Sequence, residues 1–370
     1  MRDYDLLIVG GGINGAAVAR DAAGRGASVL LIDQDDFGSH TSSASTKLIH
    51  GGLRYLENFE FRMVGKALRE RERLIRAAPH LIRPLQFILP HDRAMRPAWM
   101  MRAGLFLYDR LGGRSSLPRS HAVRLSSDGV GAPLANQHGR AFSYWDCWGD
   151  DSRLVIANLQ DAVAHFGHVL PRTSLASVAR GEGHWQAELD GDGVRETVRA
   201  RVLVNATGAS AARFLGRIGV TARGAIRAVK GSHIVTRRLF AGDQAYLLQN
   251  SDGRVIFAIP YEADYTLIGT TDVECVDDGS PVVASPQEIA YLCAAVNRWF
   301  RVPITASDVV WSYAGVRPLY DDAQNDPSAI SRDYVLDLDA TGSKAPVLSI
   351  FGGKITTHRA LAEDAVDRLA

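Results

Sequence analysis

The sequence predicts an α/β protein in which a discontinuous, Rossmann-like dinucleotide-binding domain carries an inserted antiparallel-sheet domain. Three observations carry this. A glycine-rich turn, Gly10-Gly11-Gly12-Ile13-Asn14-Gly15, joins an apolar N-terminal run to a helical pattern. A second strand-to-loop return leads into Ala206-Thr207-Gly208, and a second glycine pair, Gly352-Gly353, opens the last helical pattern. Between those two returns lie closely spaced strand patterns with a hairpin signal at Ser251-Asp252-Gly253-Arg254, which read as antiparallel.

The first element is an apolar run over 4–9, a buried parallel strand by composition. The pattern G-x-G-x-x-G follows at Gly10, Gly12 and Gly15, then a helical period over 13–25, then a strand over 28–32 that ends at Asp33, eighteen residues beyond Gly15. Gly10 permits the tight turn, Gly12 lets backbone amides approach a pyrophosphate, and Gly15 lets the helix lie close on the sheet. The helix N-terminus suits a diphosphate, and Asp33 is placed to accept hydrogen bonds from ribose hydroxyls. A small polar stretch over 37–46 precedes a helix over 60–77, whose Arg69-Glu70-Arg71-Glu72-Arg73 run reads as a solvated face. A short strand is predicted over 84–90. The segment 96–111 mixes aromatics, methionines and arginines; it reads as a helix in a domain seam, with a membrane interface as the alternative.

A helix over 150–166 follows, then strands over 168–178, 185–189 and 198–205. Strand patterns at 226–236, 244–249, 255–259 and 266–269 form the antiparallel stretch, a helix is predicted over 285–300, and strands return at 309–313 and 347–351 before a terminal helix. The domains predicted are 1–80, 146–222 and 312–370 for the dinucleotide, and 81–145 with 223–311 for the substrate.

With 370 residues, 46% of them hydrophobic, the chain can bury a large core, and its net charge of +1 gives no global field for nucleic acid. Cys147, Cys275 and Cys293 are scattered, which argues for a reducing compartment and against a metal site or disulfide framework. No apolar span approaches the ~18 residues a transmembrane helix needs. The N-terminal run reads as the first strand of the fold, not as a cleavable signal.

Four segments point together: the Gly10–Gly15 loop, Thr41-Ser42-Ser43-Ala44-Ser45-Thr46-Lys47, Asn205-Ala206-Thr207-Gly208 and Gly352-Gly353-Lys354. Further motifs are Lys47-Leu48-Ile49-His50-Gly51-Gly52-Leu53-Arg54-Tyr55-Leu56, Lys230-Gly231-Ser232-His233-Ile234-Val235, Ile268-Gly269-Thr270-Thr271-Asp272-Val273 and Tyr313-Ala314-Gly315-Val316-Arg317-Pro318-Leu319. In these the chain closely resembles the FAD-dependent, quinone-linked glycerol-3-phosphate dehydrogenases. The resemblance implies non-covalent FAD, oxidation of sn-glycerol 3-phosphate to dihydroxyacetone phosphate, ubiquinone or menaquinone as acceptor, and a cytoplasmic protein peripheral on the inner face of the cytoplasmic membrane, with a homodimer left open. Members of that family continue into a helical C-terminal domain, which this chain, ending at Ala370, is expected to lack.

Arg54, Arg317 and Lys354 are the expected phosphate-holding cations, with Tyr55 and Thr270 as hydrogen-bond partners of substrate. His233 is the expected proton acceptor, and Arg317 or Lys354 orients the reacting hydroxyl or steadies charge on the reduced flavin. For FAD the expected residues are Gly10, Gly12, Ile13, Asn14 and Gly15 at the pyrophosphate and Asp33 at the ribose. Thr41, Ser42, Ser45, Lys47 and Leu48 are expected around the diphosphate and flavin, Val178 at adenine, Thr207 and Gly208 beside the dinucleotide, and Gly353, Ile355 and Thr356 at the flavin's polar edge; His50 is a weaker candidate to support the flavin. Two other readings stand beside this one: an oxygen-using oxidase of the same fold, acting on glycerol 3-phosphate or on amines and amino acids, and an inactive FAD-binding partner protein.

Overall fold

In the computed structural model the structure describes residues 1–92, 96–222, 225–275, 282–321 and 333–370; the predicted domain boundary at 223 lies outside them. The chain builds two sheets. The first has eight strands among the described residues, and its parallel core runs Val347–Phe351, Val194–Asn205, Arg2–Val9, Val29–Ile32, His168–Leu170. Leu7, Ile8, Leu31, Leu203, Val204 and Leu348 are sealed from solvent on both faces, which is why these strands read as continuous apolar runs. One face is covered by helix α1 (Ile13–Gly24), whose buried Ala16, Ala17, Val18, Ala19, Ala22 and Ala23 let it lie close. The helices Asp151–Ala164 and His358–Asp367 pack on α1 from outside, and Phe214 and Leu215 of Ala211–Arg217 cover the opposite face.

The second sheet has ten strands among the described residues and is mostly antiparallel. Its centre is the long strand Ala225–Arg237, paired with Val309–Asp321 on one side and Tyr265–Gly269 on the other. The Ser251–Arg254 turn joins Ala245–Gln249 to Val255–Tyr261, as its hairpin signal predicts. Register sets up one row across five strands: Tyr313, His233, Gly269, Phe257 and Leu247 are successive partners. Side chains alternate faces along a strand, so Ile234, Ile268, Ala258 and Tyr246 point the other way. They pack on Leu292 and Val296 of helix Pro286–Asn297.

Several elements differ from the sequence reading. The run over 168–178 is two strands, His168–Leu170 and Thr173–Arg180, broken at Arg172, which has a positive φ. The Val309–Asp321 strand lies wholly in the second sheet, across the boundary drawn at 312, as do Leu48–Ile49 and Gly139–Gly149. In helix Phe61–Ala77 the charged run is not all solvated: Glu70 and Arg71 are buried. Arg359 and Arg73 bind Glu70, and Asp146 binds Arg71 at 2.7 Å. Helix Ala98–Leu111 buries only Leu105 and Tyr108 and exposes Trp99, Met100, Phe106 and Leu107. Its buried side packs on Val64 and Leu68 of helix Phe61–Ala77, and its other face is exposed.

Candidate active site

A cleft of about 1740 Å³ runs between the two sheets, from the Gly10–Asn14 turn to the Tyr313–His233 row. It exceeds the ~300–1,000 Å³ of a site for a drug-sized ligand, so it has room for a dinucleotide and a second small molecule.

The nucleotide end is built from the first turn. Gly10 has φ +111, and a Cβ on it would overlap the Ala206 carbonyl, so the two strand-to-loop returns touch only because Gly10 has no side chain. Gly12 caps α1 without a side-chain hydrogen bond, and the first turn of that helix has no acid. Its positive end therefore faces the cleft uncompensated. Asn14 reaches across to donate to the Gly352 carbonyl at 3.0 Å, joining the two glycine loops, while its buried Oδ1 has no partner. Asp33 accepts from the Gly11 and Asp35 amides at 2.6 and 2.9 Å; its burial raises its carboxyl against those bonds. A glycine cradle, an uncompensated helix N-terminus, an orphaned amide oxygen and a fixed carboxylate fit a dinucleotide diphosphate and ribose.

Ser42 Oγ accepts from the Ile13 amide at 2.9 Å and Thr41 donates to the Val316 carbonyl at 2.8 Å, so the serine loop is tied to both sheets. Thr207, Gly208, Leu48, Gly353, Ile355 and Thr356 border the same cleft, and the Thr356 hydroxyl accepts from the His50 amide. Lys47 also borders it, but its ammonium is 2.6 Å from Asp151, a carboxylate with no solvent exposure, which also takes the Ser45 hydroxyl. These two residues are thus committed to Asp151 and line the cleft with what remains. Two expected residues are not on the cleft. Gly15 is buried where α1 meets the Gly10 carbonyl, the packing role of the third glycine. Val178 packs into the core beside Leu175 and Ala187; Thr173, Ser174, Leu175 and Ala176 border the cleft instead, because the cleft crosses the beginning of that strand.

At the other end the three expected cations share the cleft lining. Arg317 lies 2.6 Å from Asp272 Oδ1 and donates to the Thr271 carbonyl at 3.0 Å and Thr270 Oγ1 at 3.3 Å. Arg54 lies 4.0 Å from the other oxygen of Asp272. Lys354 stands 3.8 Å above the Tyr55 ring and 3.3 Å from Met63 Sδ. The second sheet makes room with glycines: a Cβ on Gly231 would overlap Arg317, one on Gly269 would overlap the His233 ring, and one on Gly315 would press on Ala44 at 3.0 Å.

His233 stacks on Tyr313 with ring centroids 4.8 Å apart, its Nε2 is 2.9 Å from Thr46 Oγ1, and its Nδ1 has no partner. Burial, then the charges of Arg317 and Lys47, hold it down to about 3, so the imidazole is neutral. His50 is likewise lowered, by burial first.

Sequence reasoning missed the groups that hold these in place. Asp272 stands inside a quoted motif, but a carboxylate among cations was not assigned a task. The Asp151 pair and the support beneath the Gly51-Gly52 turn were also missed. There the Tyr108 hydroxyl accepts the Gly51 amide at 2.8 Å and donates to Asp146, itself paired with Arg71.

Residues 5–359 match the FAD dependent oxidoreductase (DAO) family. The chain belongs to that family, and its cofactor is FAD. It is 51% identical over 99% of its length to a glycerol-3-phosphate dehydrogenase of Pseudomonas aeruginosa, covering 71% of that protein. It is 50% identical over 99% of its length to a D-erythritol 1-phosphate dehydrogenase of Brucella abortus, covering 73% of that one. Among solved structures, the glycerol-3-phosphate dehydrogenase of Bacillus halodurans complexed with FAD superposes with a TM-score of 0.77 at 28% identity; the match covers all of this chain and 64% of that one.

Proposed function

We propose that the protein oxidises sn-glycerol 3-phosphate to dihydroxyacetone phosphate and passes the electrons to a membrane quinone. The observation that carries this reading is the convergence of Arg54, Arg317 and Lys354 on the cleft that the two glycine loops enter. Clustered cations are costly without an anion to bind, and one carboxylate, Asp272, lies between the two guanidiniums. Two guanidiniums that share this one carboxylate suit a phosphate dianion, whose oxygens match their forked donors.

Bound FAD supplies the two-electron acceptor for the hydrogen on the substrate's central carbon. The protein's part is to hold and to take a proton. Arg54 and Arg317 hold the phosphate, with Thr270 and Tyr55 beside it, and Lys354 orients the hydroxyl end. His233, which borders the cleft as a neutral imidazole, takes the hydroxyl proton. Burial first, then Arg317 and Lys47, hold the imidazole low; a dianion against Arg317 offsets the second of these and moves it upward.

The exposed Trp99, Met100, Phe106 and Leu107, with Arg102 and Arg110 among them, and the exposed Phe59 and Phe61 at the start of helix Phe61–Ala77, support docking on the cytoplasmic face of a membrane. No helix among the described residues is long and apolar enough to cross one.

A second reading is favoured by the Brucella relative: a four-carbon polyol phosphate as substrate. Steady-state reduction of a soluble quinone analogue with sn-glycerol 3-phosphate, D-erythritol 1-phosphate or glycine as the electron donor tests both. Turnover with the first and not with glycine is expected. Preference for the erythritol ester selects the second reading, and turnover of glycine alone removes both.

A further inference from the structure

We infer that Glu288, on the far side of the second sheet from the cleft, is the positioning residue that fixes the phosphate-binding Arg317 and the His233 strand relative to each other. The inference rests on the reading of the cleft as a phosphate-ester site.

Glu288 is the third residue of helix Pro286–Asn297 and closes its capping box, accepting the Ser285 amide at 3.0 Å on Oε2. That is an ordinary helix start. The same side chain does more than cap. Its Oε1 accepts hydroxyl hydrogen bonds from Ser232 and Thr271, both at 2.8 Å, and its Oε2 lies 2.7 Å from the Lys230 ammonium. The Thr271 hydroxyl in turn accepts the Ser232 amide at 2.9 Å. One buried carboxylate thereby joins the strand Ala225–Arg237 to the link that follows Tyr265–Gly269, at the positions directly beside the site: Ser232 lies between Gly231 and His233, and Thr271 between Thr270 and Asp272.

Alternation makes this functional. Ser232 points back to the helix, so Gly231 and His233 point forward into the cleft. Thr271 turns its hydroxyl back while its carbonyl accepts from Arg317, and its two neighbours hold the same guanidinium through Thr270 Oγ1 and the Asp272 carboxylate. The tolerance on the front face is small, since a single Cβ on Gly231 would overlap Arg317 and come within 2.6 Å of Thr270 Oγ1. The link also survives across working pH. Burial by itself raises the Glu288 carboxyl, but Lys230, the Ser285 amide and the two hydroxyls bring it down to about 2, so it stays ionised.

The test compares FAD-loaded Glu288→Ala and Glu288→Gln with the parent. It reads flavin content, KM and kcat for sn-glycerol 3-phosphate, and affinity for inorganic phosphate by calorimetry. With flavin content unchanged, Glu288→Ala is expected to raise KM about tenfold and weaken phosphate by a similar factor, with a smaller change in kcat. Glu288→Gln keeps an oxygen for the two hydroxyls and is expected to lie between, at roughly threefold. Parent-like KM and phosphate affinity in both variants would overturn the inference, as would a loss of melting temperature with those two quantities unmoved. If Glu288→Ala does not fold, Glu288→Gln alone decides. If the parent itself ignores sn-glycerol 3-phosphate, the functional reading fails, while the phosphate calorimetry still reports on Glu288.

Discussion

The two walls of the cleft are built on opposite principles. The parallel sheet offers backbone: the Gly10–Asn14 turn, the Thr207-Gly208 return and the Gly352-Gly353 loop meet at strand ends, and the side chains around them are small. The antiparallel sheet offers side chains: His233, Tyr313 and Arg317 project from its middle, at levels fixed by strand register and cleared by glycines on neighbouring strands. A backbone site tolerates many sequences but needs its glycines, because donors are supplied by every residue and only approach is limiting. A side-chain site needs named groups and whatever holds them still. Damage to one wall should therefore spare the function of the other.

The largest expected effect is at the side-chain wall. Arg317→Ala removes the guanidinium held by Asp272, Thr270 and Thr271. Loss of a forked charge-assisted pair to phosphate is expected to lower kcat/KM about a thousandfold, roughly 4 kcal/mol, with FAD retained. Steady-state kinetics beside the flavin absorbance of the purified variant checks this.

A pair of glycine substitutions breaks the comparison more directly. Gly10→Ala forces a Cβ into the Ala206 carbonyl, and Gly269→Ala forces one into the His233 ring. The first should yield protein with little bound FAD; the second should keep FAD and lose activity by about a hundredfold. Equal loss of FAD in both would mean that the walls are not separable.

The same contrast explains what could be read from sequence. The parallel strands announced themselves because burial on both faces leaves an unbroken apolar run, and the glycine spacing defined the turn between them. In the antiparallel sheet, Gly139–Gly149 passed unseen although it pairs along the whole of Ile82–Pro90. Its buried Ser143 and Asp146 interrupt the apolar pattern, and their partners, Gln86, Arg71 and Tyr108, are distant in the chain. Arg54, His233, Arg317 and Lys354, singled out from local motifs, all border the cleft. Asp272 and Asp151 were not singled out as anchors, since their meaning depends on which segments the register brings alongside. Val178 failed for a related reason: the sequence indicates a strand but not where along it the cleft crosses.

A smaller effect concerns pH. His233 and His358 are held to about 3 and about 4, chiefly by burial. Both lie below the ordinary imidazole value, so the unfolded chain takes protons that the folded one refuses. Stability is complete above about 6.5 and declines as pH falls toward those values, each imidazole accounting for on the order of 1–2 kcal/mol by pH 5. Thermal unfolding from pH 7 to 5 should show the decline, and His233→Asn should have a shallower one.

The smallest effect is expected at the support of the Gly51-Gly52 turn. Tyr108→Phe frees the Gly51 amide and one bond to Asp146. It should cost about 1–2 kcal/mol of stability and raise KM a few-fold through Arg54 and Tyr55, leaving FAD content alone. Denaturant titration and KM measured on one preparation separate the two.

The most direct measurement is anaerobic mixing of the FAD-loaded protein with sn-glycerol 3-phosphate while the oxidised flavin band is followed. Rapid and complete bleaching is expected, abolished in Arg317→Ala at the same substrate concentration. A flavin that stays oxidised with sn-glycerol 3-phosphate and with D-erythritol 1-phosphate would contradict a polyol-phosphate oxidoreductase outright.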